Sequence, residues 1–144
     1  MWRELVQQIC KICIFFPAAT QQQIAELEAS LRTKLSVDLI SLLFETNGIG
    51  KDTELNTIFS VEKIKSVNLD FRSAPEFQDI FAPFDLLLFF AEAGNGDYFA
   101  FEITNNEVIK PNIWVWNHED DGRRIIASSL DKYLIGWLSG NISI

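Results

Sequence analysis

Between Leu86 and Ile103 the chain reads LLLFFAEAGNGDYFAFEI, two apolar runs on either side of Gly94-Asn95-Gly96-Asp97. Asn-Gly between such runs is a strong signal for a β-hairpin. A two-residue type I′ turn needs positive φ at both central positions, which Asn tolerates and Gly adopts freely. With Asn95 and Gly96 as the turn, counting outward pairs Glu92 with Phe99, Phe90 with Phe101 and Leu88 with Ile103. One face then carries Leu86, Leu88, Phe90, Phe99, Phe101 and Ile103, and the other Phe89, Ala91, Ala93, Tyr98, Ala100 and Glu102. A hairpin apolar on both faces is expected in the middle of a domain, covered from both sides.

The rest of the chain supplies material to cover it. Residues 2–13 read as an amphipathic helix with Trp2, Leu5, Val6, Ile9, Ile12 and Cys13 at helical spacing. Thr20 and Gln23 form a capping-box pattern for a helix over 21–34, in which Ile24, Leu27 and Leu31 share a side. Ser36 caps a third helix from Val37 to Thr46, ended by Asn47-Gly48. Lys51 to Asn56 reads as a polar loop and Thr57 to Phe59 as a short strand. Ser60 caps a helix over Val61–Phe71. Pro75 and Pro83 make 73–85 irregular, with at most a short turn of helix. After the hairpin, Glu107 to Ile109 and Ile113 to Trp116 read as strands, and Asn117 to Arg124 as a charged turn. Ser128 and Asp131 suggest a last helix striped by Leu130, Tyr133, Leu134, Trp137 and Leu138. Helices, then strands, then a helix predict an α+β domain with a mainly antiparallel sheet, a single domain over 1–144.

At 144 residues, 48% of them hydrophobic, the chain can bury a core without metal or disulfides. No apolar run is long enough to span a membrane, and Arg3, Glu4, Gln7, Gln8 and Lys11 interrupt what would be a secretory leader. With only two cysteines, the expected setting is the reducing cytoplasm. The net charge of −8 is unevenly placed: between Arg72 and Lys110 there is no basic residue, while Glu76, Asp79, Asp85, Glu92, Asp97, Glu102 and Glu107 all fall there. Nucleic-acid binding relies on clustered Lys and Arg, so that class is disfavoured. The acidity either attracts a basic partner protein or keeps a Phe-rich chain in solution.

The candidate chemical motifs are thin. Cys10-Lys11-Ile12-Cys13 lacks the second ligand pair of a zinc site and lies in a helical pattern, so it reads as two buried, inert cysteines. His118, the only histidine, precedes Glu119, Asp120 and Asp121. Without a nucleophile in a recognisable motif it reads as a strand-end residue, and a hydrolase using His118 with Glu119 or Asp97 is a minor alternative. The consecutive acids do not alternate as Ca²⁺ ligands do. Gly94-Asn95-Gly96 lacks the third glycine and following helix of a phosphate loop, and reads as a structural turn. No catalytic, cofactor-binding or metal residue is expected. Trp114 and Trp116 share one face of their strand, so both are expected buried or both available as interface anchors.

Taken in order, Thr20-Gln-Gln-Gln-Ile24-Ala-Glu26-Leu-Glu28, Leu35-Ser36-Val37-Asp38-Leu39, Phe44-Glu-Thr-Asn47-Gly48, Gly94-Asn-Gly-Asp97-Tyr98-Phe-Ala-Phe101, Val115-Trp116-Asn-His118-Glu119 and Ala127-Ser128-Ser129-Leu130-Asp131-Lys-Tyr133-Leu134 resemble the SUKH superfamily of the Smi/Knr type. The resemblance spans about residues 18–138. Members often carry Leu-Pro where this chain has Leu35-Ser36, and 50–83 matches poorly. The resemblance implies an α+β domain that binds proteins without catalysis. Many bacterial members are thought to be immunity proteins neutralising a cognate polymorphic toxin, often a nuclease, and the fungal members regulate cell-wall assembly. On that basis the expected contact residues are Glu92, Asp97, Trp114, Trp116, His118, Glu119, Asp120 and Asp121, facing a basic toxin surface, with no nucleic acid or membrane partner.

Overall fold

The computed structural model describes residues 1–51 and 54–144. In chain order its elements are α1 (Trp2–Ile9), β1 (Cys13–Phe15), α2 (Gln21–Leu31), α3 (Val37–Leu43), β2 (Ile49–Lys51), β3 (Glu54–Ile58), α4 (Val61–Ser73), α5 (Pro75–Gln78), β4 (Leu87–Glu92), β5 (Tyr98–Glu102), β6 (Ile113–Trp116), β7 (Arg123–Ala127) and α6 (Leu130–Ser139). Both sheets are antiparallel, ordered β1-β2-β3 and β4-β5-β6-β7, so the fold is α+β. No helix among the described residues is long and apolar enough to cross a membrane.

The helix starts follow local chemistry. The Thr20 hydroxyl accepts from the Gln23 N–H (3.1 Å) and the Gln23 side chain accepts from the Thr20 N–H (2.8 Å), a complete capping box. Ser36 accepts from the Leu39 N–H and Ser60 from the Lys63 N–H. The α1 helix has no side-chain cap of its own. Glu45, distant in sequence, accepts from the Trp2 and Arg3 N–H groups at 3.2 and 3.1 Å.

Helix ends and irregular segments depart from local reading. The helix expected over 2–13 stops at Ile9. Cys10 is extended, Cys13 opens β1, and the two cysteines form a disulfide instead of two inert thiols. The α2 helix ends at Leu31, where Arg32 takes a left-handed cap (φ 51°), and α3 ends at Leu43, short of Thr46. Of the expected loop 51–56, Lys51 belongs to β2 and 54–56 to β3, while 52 and 53 lie outside the described residues. Glu107 makes isolated bridges to Lys34 and Thr104 and starts no strand. The charged turn ends at Gly122, since Arg123 and Arg124 begin β7.

The hairpin forms with a different turn. Positive φ falls on Gly94 (93°) and Gly96 (101°), and the Asn95 side chain accepts from the Asp97 N–H (3.0 Å). The loop closes across Ala93 N–H to Asp97 C=O (2.9 Å), and Glu92 pairs with Tyr98 where Phe99 was expected. A one-residue slip should flip every side chain to the other face. A bulge at Phe90, between the pairs Ala91↔Phe99 and Phe89↔Ala100, adds a second residue to the slip, so that Leu88 faces Phe101, and a shift of two restores the faces beyond it. Phe90 and Ala91 therefore both enter the main core with Leu88, Phe99, Phe101 and Ile103, while Phe89 and Ala100 keep the opposite face. The expected faces survive, except that Ala91 and Ala93 change side and Leu86 stays exposed.

The main core joins α1, α2, α3, α6 and one face of the large sheet, around Trp2, Leu27, Leu42, Phe90, Phe99 and Tyr133. Two devices close the β4 edge of that sheet. The Phe59 N–H donates to the Phe90 carbonyl (2.8 Å), bridging to the end of β3. Buried Asn68 of α4 donates to the Phe89 carbonyl (2.9 Å) and accepts from the Phe89 N–H (2.9 Å), replacing a strand neighbour. On the sheet's second face, Phe71 of α4 with Phe77, Phe81 and Phe84 covers Phe89, Ala100 and Trp116.

Candidate functional site

The residues expected to meet a partner lie around the hairpin turn and the end of β6, and the fold uses several of them internally. Asp97 is 4% exposed, and one of its carboxylate oxygens accepts from the His118 backbone N–H (3.0 Å) and from His118 Nδ1 (2.6 Å). This ties the hairpin turn to the strand end, and Gly96 lies so close to the imidazole that an added Cβ would sit 2.9 Å from Nδ1. The pair fixes the imidazole orientation as a carboxylate does in a triad. Among the described residues no Ser or Thr hydroxyl bonds to the other ring nitrogen, and both cysteines are in the disulfide. Nor do the described residues bring three or more His, Cys, Asp or Glu side chains together as a metal cage.

Trp116 and Asp121 belong to a second internal network. One Asp121 oxygen accepts from the Trp116 indole N–H (2.7 Å) and from Arg123 Nη2 (3.0 Å), and the other from the Ala82 N–H (2.9 Å). Arg123 donates in turn to the Pro83 and Ala82 carbonyls (3.0 and 2.8 Å) and lies over the Phe84 ring. Burial pushes the Asp121 carboxyl up, but the bonds from Ala82, Trp116 and Arg123 outweigh it and hold the group below the usual carboxylate range. The network latches the segment after α5 onto Trp116, which is 3% exposed. Glu92 is engaged as well, with Lys63 at 3.8 Å and as hydrogen-bond partner of Tyr98. Burial and that carboxylate push the Tyr98 hydroxyl up to about 12. Of the eight expected contact residues, Glu119, Asp120 and His118 are on the open surface.

The expectation that Trp114 and Trp116 are both buried or both available does not hold. Trp114 shares its face with Trp116, yet one is buried and the other partly open, because the 71–84 cover ends between them. Beyond Arg123, no element among the described residues covers the second face of the large sheet. Trp114 lies there opposite Ile125 of β7, which is 51% exposed, and beside Leu86, which is 60% exposed. A groove of about 490 Å³ runs along this half-face, with Leu87 and Ile103 among its apolar lining. Glu102 and Lys110 cross it as an ion pair at 3.3 Å. Leu86 and Ile125 carried no functional signal in the sequence. An apolar residue expected in a core and one in an unrecognised strand become an exposed patch only when the cover stops short.

In comparison with known families, the family model SUKH_6, described as SMI1-KNR4 cell-wall, matches residues 21–134, most of the chain. No curated protein matches the chain significantly. The matched span runs from the first residue of α2 into α6, and so takes in both sheets from β2 onward, the hairpin turn, the latch and the open half-face.

Proposed function

The chain belongs to the SMI1-KNR4 cell-wall family of SUKH domains, and on that premise we propose that it is a non-enzymatic protein-binding domain, an immunity protein that neutralises a toxin by direct contact. The observation that carries this reading is the placement of charge on the folded chain. The stretch without Lys or Arg, 73–109, puts Glu76, Asp79, Asp85 and Glu107 on the surface. A basic nuclease is the complementary partner, and acidic side chains over its substrate groove would displace the nucleic acid. Such a partner works in the cytoplasm, and we place the protein there.

Co-expression tests the reading. Cells producing the toxin domain encoded in the adjacent reading frame should survive when this chain is supplied, and die when it is absent or unfolded. Death despite equal amounts of folded protein would overturn it. The family's cell-wall description favours a second role, a regulatory interaction module, and in that case deletion should change cell-wall assembly without any toxin.

A further inference from the structure

We infer that Cys10 and Cys13 form a redox clip: their disulfide holds β1 at the edge of the three-stranded sheet, and its reduction by a dithiol releases residues 10–15 from β2. This goes beyond the partner-binding reading and does not depend on it, and the clip precedes the matched family span, which begins at Gln21. Three observations support it. First, the two cysteines are the only ones in the chain, and one bond joins them across a single turn. Cys10 is the C-cap of α1 and Cys13 the first residue of β1, so that bond spans the junction of two elements. Cys10 is 8% exposed and belongs to the main core, whereas Cys13 is only partly buried and Lys11 and Ile12 between them are open to solvent. A thiolate from outside therefore reaches the Cys13 sulfur first.

Second, the junction has a competing conformation. Ile9, Ile12 and Cys13 continue the helical spacing of α1, yet the helix stops at Ile9 and Cys10 is extended (φ −129°, ψ 105°). Joined sulfurs hold the turn that starts β1, and free thiols do not. Third, β1 has little else to hold it, while its flanks are secure. It is a three-residue outer strand that pairs, among the described residues, only with β2, and none of its side chains is fully buried. On one side α1 is fixed by buried Trp2 and Val6 and by Glu45 at its start. On the other, the Phe16 N–H donates to the Thr46 hydroxyl (2.9 Å). Reduction thus loosens the stretch between two anchors and leaves both in place. The exchange balances with a dithiol alone. One of its thiolates attacks the Cys13 sulfur, the Cys10–Cys13 bond breaks, and Cys10 leaves as a thiolate that takes up a proton. The second thiolate then attacks the dithiol's own sulfur in the mixed disulfide, and Cys13 leaves likewise. The protein gains two electrons and two protons, and the dithiol becomes a disulfide.

The test compares amide hydrogen exchange in the full, disulfide-bonded chain with that in the same chain after dithiothreitol, reduction being verified by alkylation of both thiols. The amides of β1, and those of β2 that donate to it, should exchange about tenfold faster once reduced, while α2, α4 and β4–β6 keep their rates. Reoxidation should restore the slow exchange. The double variant Cys10→Ser, Cys13→Ser should match the reduced chain with or without dithiothreitol. Unchanged exchange at β1 and β2 in the fully reduced chain would overturn the inference. Equal acceleration over the whole chain would overturn it in favour of a purely structural cross-link, and acceleration confined to α1 would show that the bond holds the helix and not the strand. A disulfide that dithiothreitol opens only in the unfolded chain would overturn it as well.

Discussion

At the scale of single residues, the side chains that matter most for stability satisfy backbone groups of distant segments. Asn68 donates to the Ile64 and Phe89 carbonyls and accepts from the Phe89 N–H, all buried. Asn68→Ala strands the Phe89 N–H and carbonyl away from water, and the expected loss is about 3 kcal/mol, read as a lower denaturant midpoint at unchanged slope. Gly96→Val meets two obstacles, a φ of 101° and the His118 ring 2.9 Å from the new Cβ, so a loss of about 1 kcal/mol or more is expected in thermal melts. Equal stability with lost partner binding would make the turn an interaction site. The Cys10–Cys13 disulfide closes a very short loop, so its reduction should cost no more than about 2 kcal/mol. In the proposed cytoplasmic setting the pair is reduced, so alkylation of freshly lysed cells should label both thiols. Protection of both would place the protein in an oxidising compartment.

At the scale of elements, the segment from α5 to Phe84 depends on the latch more than on its own helix, which is only four residues long. Its aromatic rings reach Trp116, but its backbone is held at Ala82 and Pro83 by Asp121 and Arg123. Arg123→Ala should raise amide exchange over 75–85 and shift Trp116 fluorescence to the red, while the β4–β6 amides stay protected. Acid should do the same. The folded Asp121 carboxyl lies below its ordinary value, so its contribution is complete above that value and is lost as pH falls through the lowered one. Glu45 titrates with the same sign. Burial pushes it up, and the Arg3 and Trp2 N–H groups bring it below the usual range, so the start of α1 should loosen in the same acid window. Loosening of either segment only at alkaline pH would contradict both assignments.

At the scale of the whole molecule, the acids available for long-range attraction include Glu119 and Asp120 beside the histidine and extend to Glu76, Asp79, Asp85 and Glu107, while Asp97 and Asp121 turn inward. Neutralising exposed Glu76, Asp79, Asp85 and Glu107 together should slow association with a basic partner about tenfold at low salt, a difference that closes as salt is raised. An unchanged rate and salt response would remove the electrostatic part of the proposal. Replacing Asp97 should instead unfold the turn, because it is buried against His118. Legible in the residues alone is what local periodicity and capping control: the starts of α2, α3 and α4, the apolar faces of the hairpin, the antiparallel α+β class and the family. Those signals lie within one or two turns of chain. Tertiary structure alone decided β1 and β7, whose sequences Cys13-Ile14-Phe15 and Arg123-Arg124-Ile125-Ile126-Ala127 lack a period-2 pattern because both are sheet edges with little to bury. It also decided which acids turn inward, since Asp97 finds His118 and Asp121 finds Ala82 only once segments 21 and 39 residues away arrive. The same long-range packing splits Trp114 from Trp116. Their alternation puts them on one face, but the place where the cover over that face stops is set by a latch between β7 and the segment after α5, which no local pattern encodes.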